Sequence, residues 1–268
     1  MDKIVTDKYP AGTATKEETM DAIESHYRSA FSDDSPKVKV PNAWWDGLPK
    51  LTESEKETLE SPFTLNCYTK VLFNEMSLGR TPGSDGITVA FYRKFWKTLA
   101  RPYVTMMGIC VERGLLSNSQ RESVIRLIAK KDKDQTTLRG YRPISLMNVD
   151  AKIYSKCIAQ RLKVVCDKVL GNEQLAYLSG RHIQDGQVVI NRALELFRSN
   201  KLKGIMACVD FKSAFDSCKH DFIWQTLERF NLGPQLIKHV QTLYNDSKSS
   251  VLNHNTRTNW FPLAQSAR

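Results

Sequence analysis

The chain is predicted to adopt an α+β fold, and three observations carry that prediction. Apolar residues recur at three- and four-residue spacing in several separate segments, as amphipathic helices require; two apolar runs flank a charged, turn-rich stretch; and a further run, Ile205–Val209, stops on the acid Asp210. Helices, a hairpin, more helices and then a strand ending on a carboxylate make an α+β order. With 268 residues and 41% apolar content, the chain is able to bury a sizeable core. It contains no internal repeat and no low-complexity tract.

Residues 1–12 lack periodicity, but Thr15-Lys16-Glu17-Glu18 has the capping-box pattern, and Met20, Ile23, Tyr27 and Phe31 then mark one face of a helix. Ser32–Pro41 is polar and proline-flanked, as a linker is. Thr52-Glu53-Ser54-Glu55 repeats the capping box, Pro62 interrupts, and a helix begins near Thr64 and runs through Val71, Leu72 and Met76, so the main domain is expected to start close to Pro62. Gly79–Gly86 is dense in turn formers, with Asp85 one of them. Tyr92, Phe95, Trp96 and Leu99 give the next helix an aromatic face suited to core packing. Val124–Ala129 and Tyr141–Leu146 read as strands joined by the charged turn Lys130–Gly140. Asp150 is expected to cap a long helix with Ile153, Cys157, Ile158, Leu162, Val165 and Val169 on one face and Lys152, Lys156, Lys163 and Lys168 mainly off it. A helix over Ile183–Phe197, a strand over Gly204–Asp210, helices over Asp221–Phe230 and Pro234–Tyr244, and a hairpin pairing Ser249–Leu252 with Asn259–Pro262 complete the reading.

Charge is unevenly placed. Residues 1–62 hold 8 Lys/Arg against 13 Asp/Glu (net −5), and residues 63–268 hold 31 against 16 (net +15). The basic part carries the electrostatic footprint of a polyanion partner, most simply a nucleic acid, with a merely solvated basic surface as the plainer alternative. The six cysteines are scattered, with no Cys-x-x-Cys pair and no histidine at zinc spacing, so free thiols are expected. No apolar run approaches the roughly 18 residues of a membrane span and no secretory leader opens the chain, which predicts a soluble, intracellular protein, nuclear or cytoplasmic, with no membrane partner.

Asp210 sits in Val209-Asp210-Phe211-Lys212-Ser213-Ala214-Phe215-Asp216. An acid at a strand terminus is by itself most often a cap or turn residue. Its company favours chemistry: small Ser213 and Ala214 would let backbone N–H groups approach phosphate oxygens while a hard carboxylate holds Mg²⁺. Asp216 is read as a structural cap at the start of the following turn.

This motif resembles the first catalytic motif of reverse transcriptases of the non-LTR retrotransposon type. Gly79-Arg80-Thr81-Pro82-Gly83-Ser84-Asp85-Gly86-Ile87 with Phe91-Tyr92 and Phe95-Trp96 resembles the opening block of those enzymes. Val124–Lys131 and Tyr141–Lys152 are similar to their paired fingers motifs, and Glu173–Arg181 resembles the next block. The blocks run in family order over about residues 64–268.

The resemblance implies a right-hand polymerase architecture, mostly helical with a fingers hairpin and a partial antiparallel palm sheet. It divides the chain into an N-terminal linker and helical extension (1–62), fingers (63–202) and a partial palm with the first catalytic motif (203–268). It implies Asp210 as the metal ligand, assisted by the carbonyl of Phe211, with Mg²⁺, or Mn²⁺ in its place, clamping the attacking and leaving oxygens. Ser213 and Ala214 would meet the triphosphate, and Phe215 would lie under the sugar. Arg142 would contact the incoming nucleotide together with Lys130, with Lys131 and Lys133 as rivals for the lysine; read from the residues alone, Arg142 is an ordinary strand-surface cation. Gly180 and Arg181 would lie near the template. The implied partners are an RNA template, a DNA primer and deoxynucleoside triphosphates, and the implied activity is RNA-templated DNA synthesis from a primer 3′-hydroxyl.

One departure is plain. The family's second carboxylate motif, an aromatic-x-Asp-Asp turn, has no counterpart after Asp210; Tyr244-Asn245-Asp246-Ser247 reads as a helix C-terminus. The polypeptide is therefore expected not to polymerise alone, and the region beyond about Gly204 is expected to be labile. A non-catalytic nucleic-acid-binding protein derived from a retrotransposon is the competing function, and a remnant without a role is a third.

Overall fold

The structure, a computed structural model, describes residues 15–33, 40–211 and 213–266. The expectation for residues 1–12 lies outside these, as does most of that for the 32–41 linker. Helix α1 (Lys16–Ala30) is closed by the Thr15/Glu18 capping box, and α2 (Glu53–Glu60) by the Thr52/Glu55 box. Helix α3 (Leu65–Lys70) continues into a π-helical turn, Val71–Glu75, whose last carbonyls are collected by Arg93: its guanidinium donates to Leu72 O (3.0 Å), Phe73 O (2.9 Å) and Met76 O (2.6 Å). Helix α4 (Val89–Arg113) ends on Gly114 in the left-handed region, φ 65°. Of its aromatic face Trp96 is buried, while Phe91 and Phe95 remain 43% exposed, so the core-packing expectation holds for part of that face. The short α5 (Asn118–Arg121) leads into the sheet.

Strands β1 (Glu122–Ala129) and β2 (Tyr141–Met147) form the expected antiparallel hairpin, with Ile128 opposite Arg142. Helix α6 (Val149–Val169) follows, capped at Asn148; Asp150 is in its first turn and accepts from Ala151 N at 2.8 Å, a correction of one turn position. Then come α7 (Ile183–Ser199), α8 (His220–Arg229), α9 (Pro234–Tyr244), β3 (Lys248–Asn253), β4 (Thr256–Arg257) and β5 (Phe261–Pro262). β3 pairs antiparallel with β4 and β5, the predicted final hairpin, and parallel with β1, with Ile125 opposite Val251. The sheet is therefore mixed, not purely antiparallel.

The predicted 204–210 strand is absent. Leu202–Phe211 is irregular and exposed, with Ile205 99%, Val209 79% and Phe211 77% accessible. The apolar run is real, but a strand needs a ladder partner, and no described strand pairs with this segment.

Two apolar clusters hold these elements. The larger joins α2, α3, α4, α6 and α9 around Leu59, Leu72, Met107, Ile153, Tyr154 and Leu236, each 1% exposed or less. The smaller lays Ile23, Tyr27 and Phe31 of the α1 segment over Ile125, Val251 and Phe261 of the sheet. Each fully buried side chain of this size contributes about 1.5–3 kcal/mol.

Candidate nucleic-acid interface

Alternation along β1 and β2 gives the sheet two chemically different faces. Val124, Arg126 and Ile128 share one face with their cross-strand partners Leu146, Ile144 and Arg142. On this side lies an open groove of about 970 Å³, walled by the end of the π-helical turn (Glu75–Ser77), by Arg80 and Thr81 of the glycine-rich loop, and by α6. Four cations line it: Arg80, Arg126, Lys152 and Lys156, against the single acid Glu75. Its floor is apolar, with Ile128 50% and Ile144 43% exposed.

The groove's shape follows from local rules. Lys152 and Lys156 are four residues apart on α6 and so point the same way. Asp85 Oδ1 accepts from Ile87 N (2.9 Å), the turn-forming role expected of it, and Asn148 Oδ1 accepts from Asp85 N (3.3 Å). Gly83 is obligatory there, since a Cβ would meet Asn148 N at 2.4 Å. Lys152 Nζ donates to Thr81 O (3.1 Å); burial lowers its pKa from the ordinary value, partly offset by Asp85.

Of the residues singled out from sequence, Lys130 and Arg142 come together on this sheet. Lys130 N donates to Gly140 O (2.8 Å), extending the ladder one step past the Ala129–Tyr141 pair, and Lys130 Nζ reaches Arg139 O (2.9 Å). Arg142 is exposed on the groove face. Arg181 is largely enclosed, with its guanidinium donating to Leu170 O (3.2 Å), Gln174 O (2.9 Å) and Gly171 O and pairing with Asp167 (3.2 Å), so it clasps the segment after α6. Gly180 beside it has φ 78°.

The catalytic-motif residues are not assembled with them. Asp210 is an exposed carboxylate on the irregular segment, followed by the exposed Phe211. Ser213 and Ala214 stand in an exposed turn closed by Ser217 N to Ser213 O (3.0 Å), with Ser213 at φ 54°. Phe215 meets Tyr177 edge-on at 6.2 Å. Asp216 stands in the turn before α8 and lines a 210 Å³ pocket with Pro143, Ser145 and His220. That pocket lies on the sheet face opposite Arg142. Burial raises the Asp216 carboxyl and lowers the His220 imidazole. No hydrogen bond or ion pair among the described residues joins Asp210 to Arg142 or Lys130. Asp246, set aside as a second carboxylate, follows the Asn245 C-cap of α9 and forms an ion pair with the buried Arg121.

The sequence reading missed Arg80, Arg126, Lys152 and Lys156 as one surface. The i, i+4 lysines and the Arg126/Ile128 alternation were the available signal; the meeting of loop, strand and helix was not. Among the described residues no group of three or more His, Cys, Asp or Glu side chains is placed to hold a metal ion, and no helix is long and apolar enough to cross a membrane.

Residues 128–264 match the family model described as reverse transcriptase (RNA-dependent DNA polymerase). The uncharacterized 149 kDa protein of transposon TX1 from Xenopus laevis is 32% identical over 240 residues, 90% of this chain and 18% of that protein. The retrovirus-related Pol polyprotein from type-1 retrotransposable element R2 of Nasonia vitripennis is 23% identical over 69% of this chain and 18% of its own length, and the RNA-directed DNA polymerase from mobile element jockey of Drosophila melanogaster is 26% identical over 69% and 21%. The chain thus spans about a fifth of the length of these curated relatives. Since the family match takes in just over half of its residues, and the relatives are retrotransposon proteins, this chain belongs to the reverse transcriptase family of non-LTR retrotransposons.

Proposed function

We propose that the chain supplies the fingers (63–202) and the first part of the palm (203–268) of a right-hand polymerase, with 1–62 as an N-terminal helical extension, and that these residues by themselves bind nucleic acid along the cationic groove. The observation that carries this is the groove itself: four cations over an apolar floor, on the sheet face that also presents Arg142. Phosphates would pair with Arg80, Arg126, Lys152 and Lys156, while bases lie against Ile128 and Ile144. An intracellular site of action, in the nucleus or cytoplasm, belongs to the same proposal.

Reverse transcriptases use divalent metal ions, and the proposed activity of the whole enzyme is RNA-templated DNA synthesis from a primer 3′-hydroxyl and deoxynucleoside triphosphates. In that enzyme Asp210 and the Phe211 carbonyl would bind Mg²⁺ or Mn²⁺, and Lys130, Arg142, Ser213, Ala214 and Phe215 would surround the nucleotide, with Gly180 and Arg181 towards the template. The described donor set does not fit a divalent ion: Asp210 is exposed, and among the described residues no group of three or more His, Cys, Asp or Glu side chains gathers around it. No chemical step is therefore assigned to these residues alone.

The test is fluorescence anisotropy with a labelled single-stranded RNA at several salt concentrations, beside a primer-extension assay with Mg²⁺ or Mn²⁺. Salt-sensitive binding lost on substituting the groove cations and retained in Asp210→Ala, with no extension, is the expected result. Template-dependent products abolished by Asp210→Ala would overturn the claim that these residues do not polymerise. The exposed, unpartnered position of Asp210 favours one second reading, a retrotransposon-derived protein that only binds nucleic acid. Restoration of extension by adding the remaining palm segment of a relative in trans would exclude it.

A further inference from the structure

A second cavity, of about 280 Å³, lies between α3 with its π-helical turn and α6, and shares the wall residue Glu75 with the groove. Its lining holds two of the six cysteines, Cys67 and Cys157, with Lys70 and Arg161. Cys67 is part-exposed, and its Sγ lies 3.4 Å from Thr64 Oγ1. Cys157 is 3% exposed and has no hydrogen-bond partner among the described residues, so its thiol is a buried, unpaired group at the inner wall of the cavity. Arg161 is held in place in the same lining: its guanidinium donates to Leu59 O (3.2 Å), Pro62 O (3.3 Å) and Ser61 O and lies over the Phe63 ring with its carbon 3.6 Å from the centroid. A fixed cation beside a part-exposed thiol is the setting in which cysteines react.

We propose that Cys67 and Cys157 form a two-thiol redox pair that a peroxide closes into a disulfide joining α3 to α6. Cys67 is the attacking group. Burial alone would raise its pKa, but the Thr64 hydrogen bonds and the Arg161 charge outweigh burial and hold the thiol below its ordinary value. Cys157 is the resolving group; burial pushes its thiol up to about 12, so its proton must pass to the sulfenic oxygen as its sulfur attacks. In the first step the Cys67 thiolate attacks one oxygen of hydrogen peroxide, the O–O bond breaks, hydroxide leaves and Cys67 becomes a sulfenic acid. In the second, Cys157 Sγ attacks Cys67 Sγ, the S–O bond breaks, and the Cys157 proton departs with the oxygen as water. The two thiols are oxidised and the peroxide is reduced.

The other four cysteines lack this arrangement. Cys110 is buried, Cys166 is raised by burial and by neighbouring Asp167, Cys218 is raised by burial, and Cys208 lies exposed on the irregular segment. The link would tie α3, whose π-helical continuation ends in one wall of the groove, to the helix that carries Lys152 and Lys156 in the other.

The test treats the reduced 268-residue chain with stoichiometric hydrogen peroxide and maps its peptides without reduction, beside Cys67→Ser and Cys157→Ser. The expected result is a Cys67–Cys157 cross-linked peptide in the wild type, absent from both variants, with a dimedone adduct accumulating on Cys67 in Cys157→Ser. Arg161→Lys should slow the loss of free Cys67 severalfold. A dominant link through Cys208 or Cys218, or sulfenic acid on Cys67 that persists unlinked in the wild type, would overturn the proposal. If Cys157→Ser fails to fold, the wild-type peptide map decides alone: that cross-link supports the pair and its absence refutes it.

Discussion

Glu60 and Gly233 meet where α2 packs against the start of α9: a Cβ placed on Gly233 would lie 2.5 Å from Glu60 Oε1, and that carboxylate accepts from Gln235 N (2.9 Å) and Leu236 N (3.0 Å). Gly233 has φ 88° and ψ 147°, outside the left-handed helical region and in a conformation nearly confined to glycine, which costs other residues on the order of 1–3 kcal/mol. Gly233→Ala is expected to lower stability by about 2–3 kcal/mol, and Glu60→Ala by about 1 kcal/mol, in urea unfolding. Because the alanine already displaces the carboxylate, the double variant should cost less than the sum. Strict additivity would mean that the two residues do not interact.

Arg181→Ala is expected to act on stability. Its guanidinium collects three carbonyls, and their loss should cost about 1–3 kcal/mol and open the 170–181 segment to hydrogen exchange. RNA affinity should stay within about twofold. A large affinity loss in a chain of unchanged stability would mean that the Arg181 side chain itself grips the RNA in these residues alone, and does not act through the segment it clasps.

The groove predicts graded losses. Neutralising Arg126, Lys152 or Lys156 singly should weaken single-stranded RNA binding several-fold and flatten the plot of log K against log salt by about 0.7 for each phosphate contact removed. Substituting Lys163, which the groove does not include, is the control.

Stability should fall with acid through His239. Burial, aided by Arg161 and Lys238, depresses its imidazole from 6.5 to about 4, and its Nδ1 lies 2.9 Å from the Tyr154 hydroxyl. The unfolded chain takes up a proton near the ordinary value that the folded chain resists, so this contribution is complete above about pH 6.5 and is lost as pH drops towards 4. His26 and His220, also lowered by burial, act in the same direction. After allowance for partial solvent screening the His239 effect is on the order of 1–2 kcal/mol, measured as a pH-dependent urea midpoint that flattens in His239→Gln.

Limited trypsin digestion should cut first at Lys201 or Lys203. Both are exposed at the start of the irregular segment, whereas Lys248 is half-buried in β3. Equal protection at 201–203 and at 248 would contradict the exposed conformation of residues 202–211.

What was legible in the sequence was what short-range chemistry decides. The capping boxes at Thr15 and Thr52 are hydrogen bonds across three residues, and the β1–β2 hairpin needs one turn, so both could be read from local pattern. Pairing of Ser123 with Ser249 spans well over a hundred residues and leaves no local trace, so the parallel contact of β1 with β3 was not seen. Ile205–Val209 failed for the converse reason: its composition suits a strand, yet composition does not supply a neighbour. Arg142 and Lys130 were singled out by motif, while the groove cations Arg126 and Lys156 needed the fold to bring them to one surface.

The seating of α1 on the sheet has a bearing on biosynthesis. Phe31 O receives hydrogen bonds from Ala264 N (3.0 Å) and Gln265 N (3.3 Å), and the Phe31 and Phe261 rings stack at 6.4 Å. On the ribosome, helix α1 must wait with its oily stripe uncovered until more than two hundred further residues have been translated, a long interval in which a chaperone would find a target.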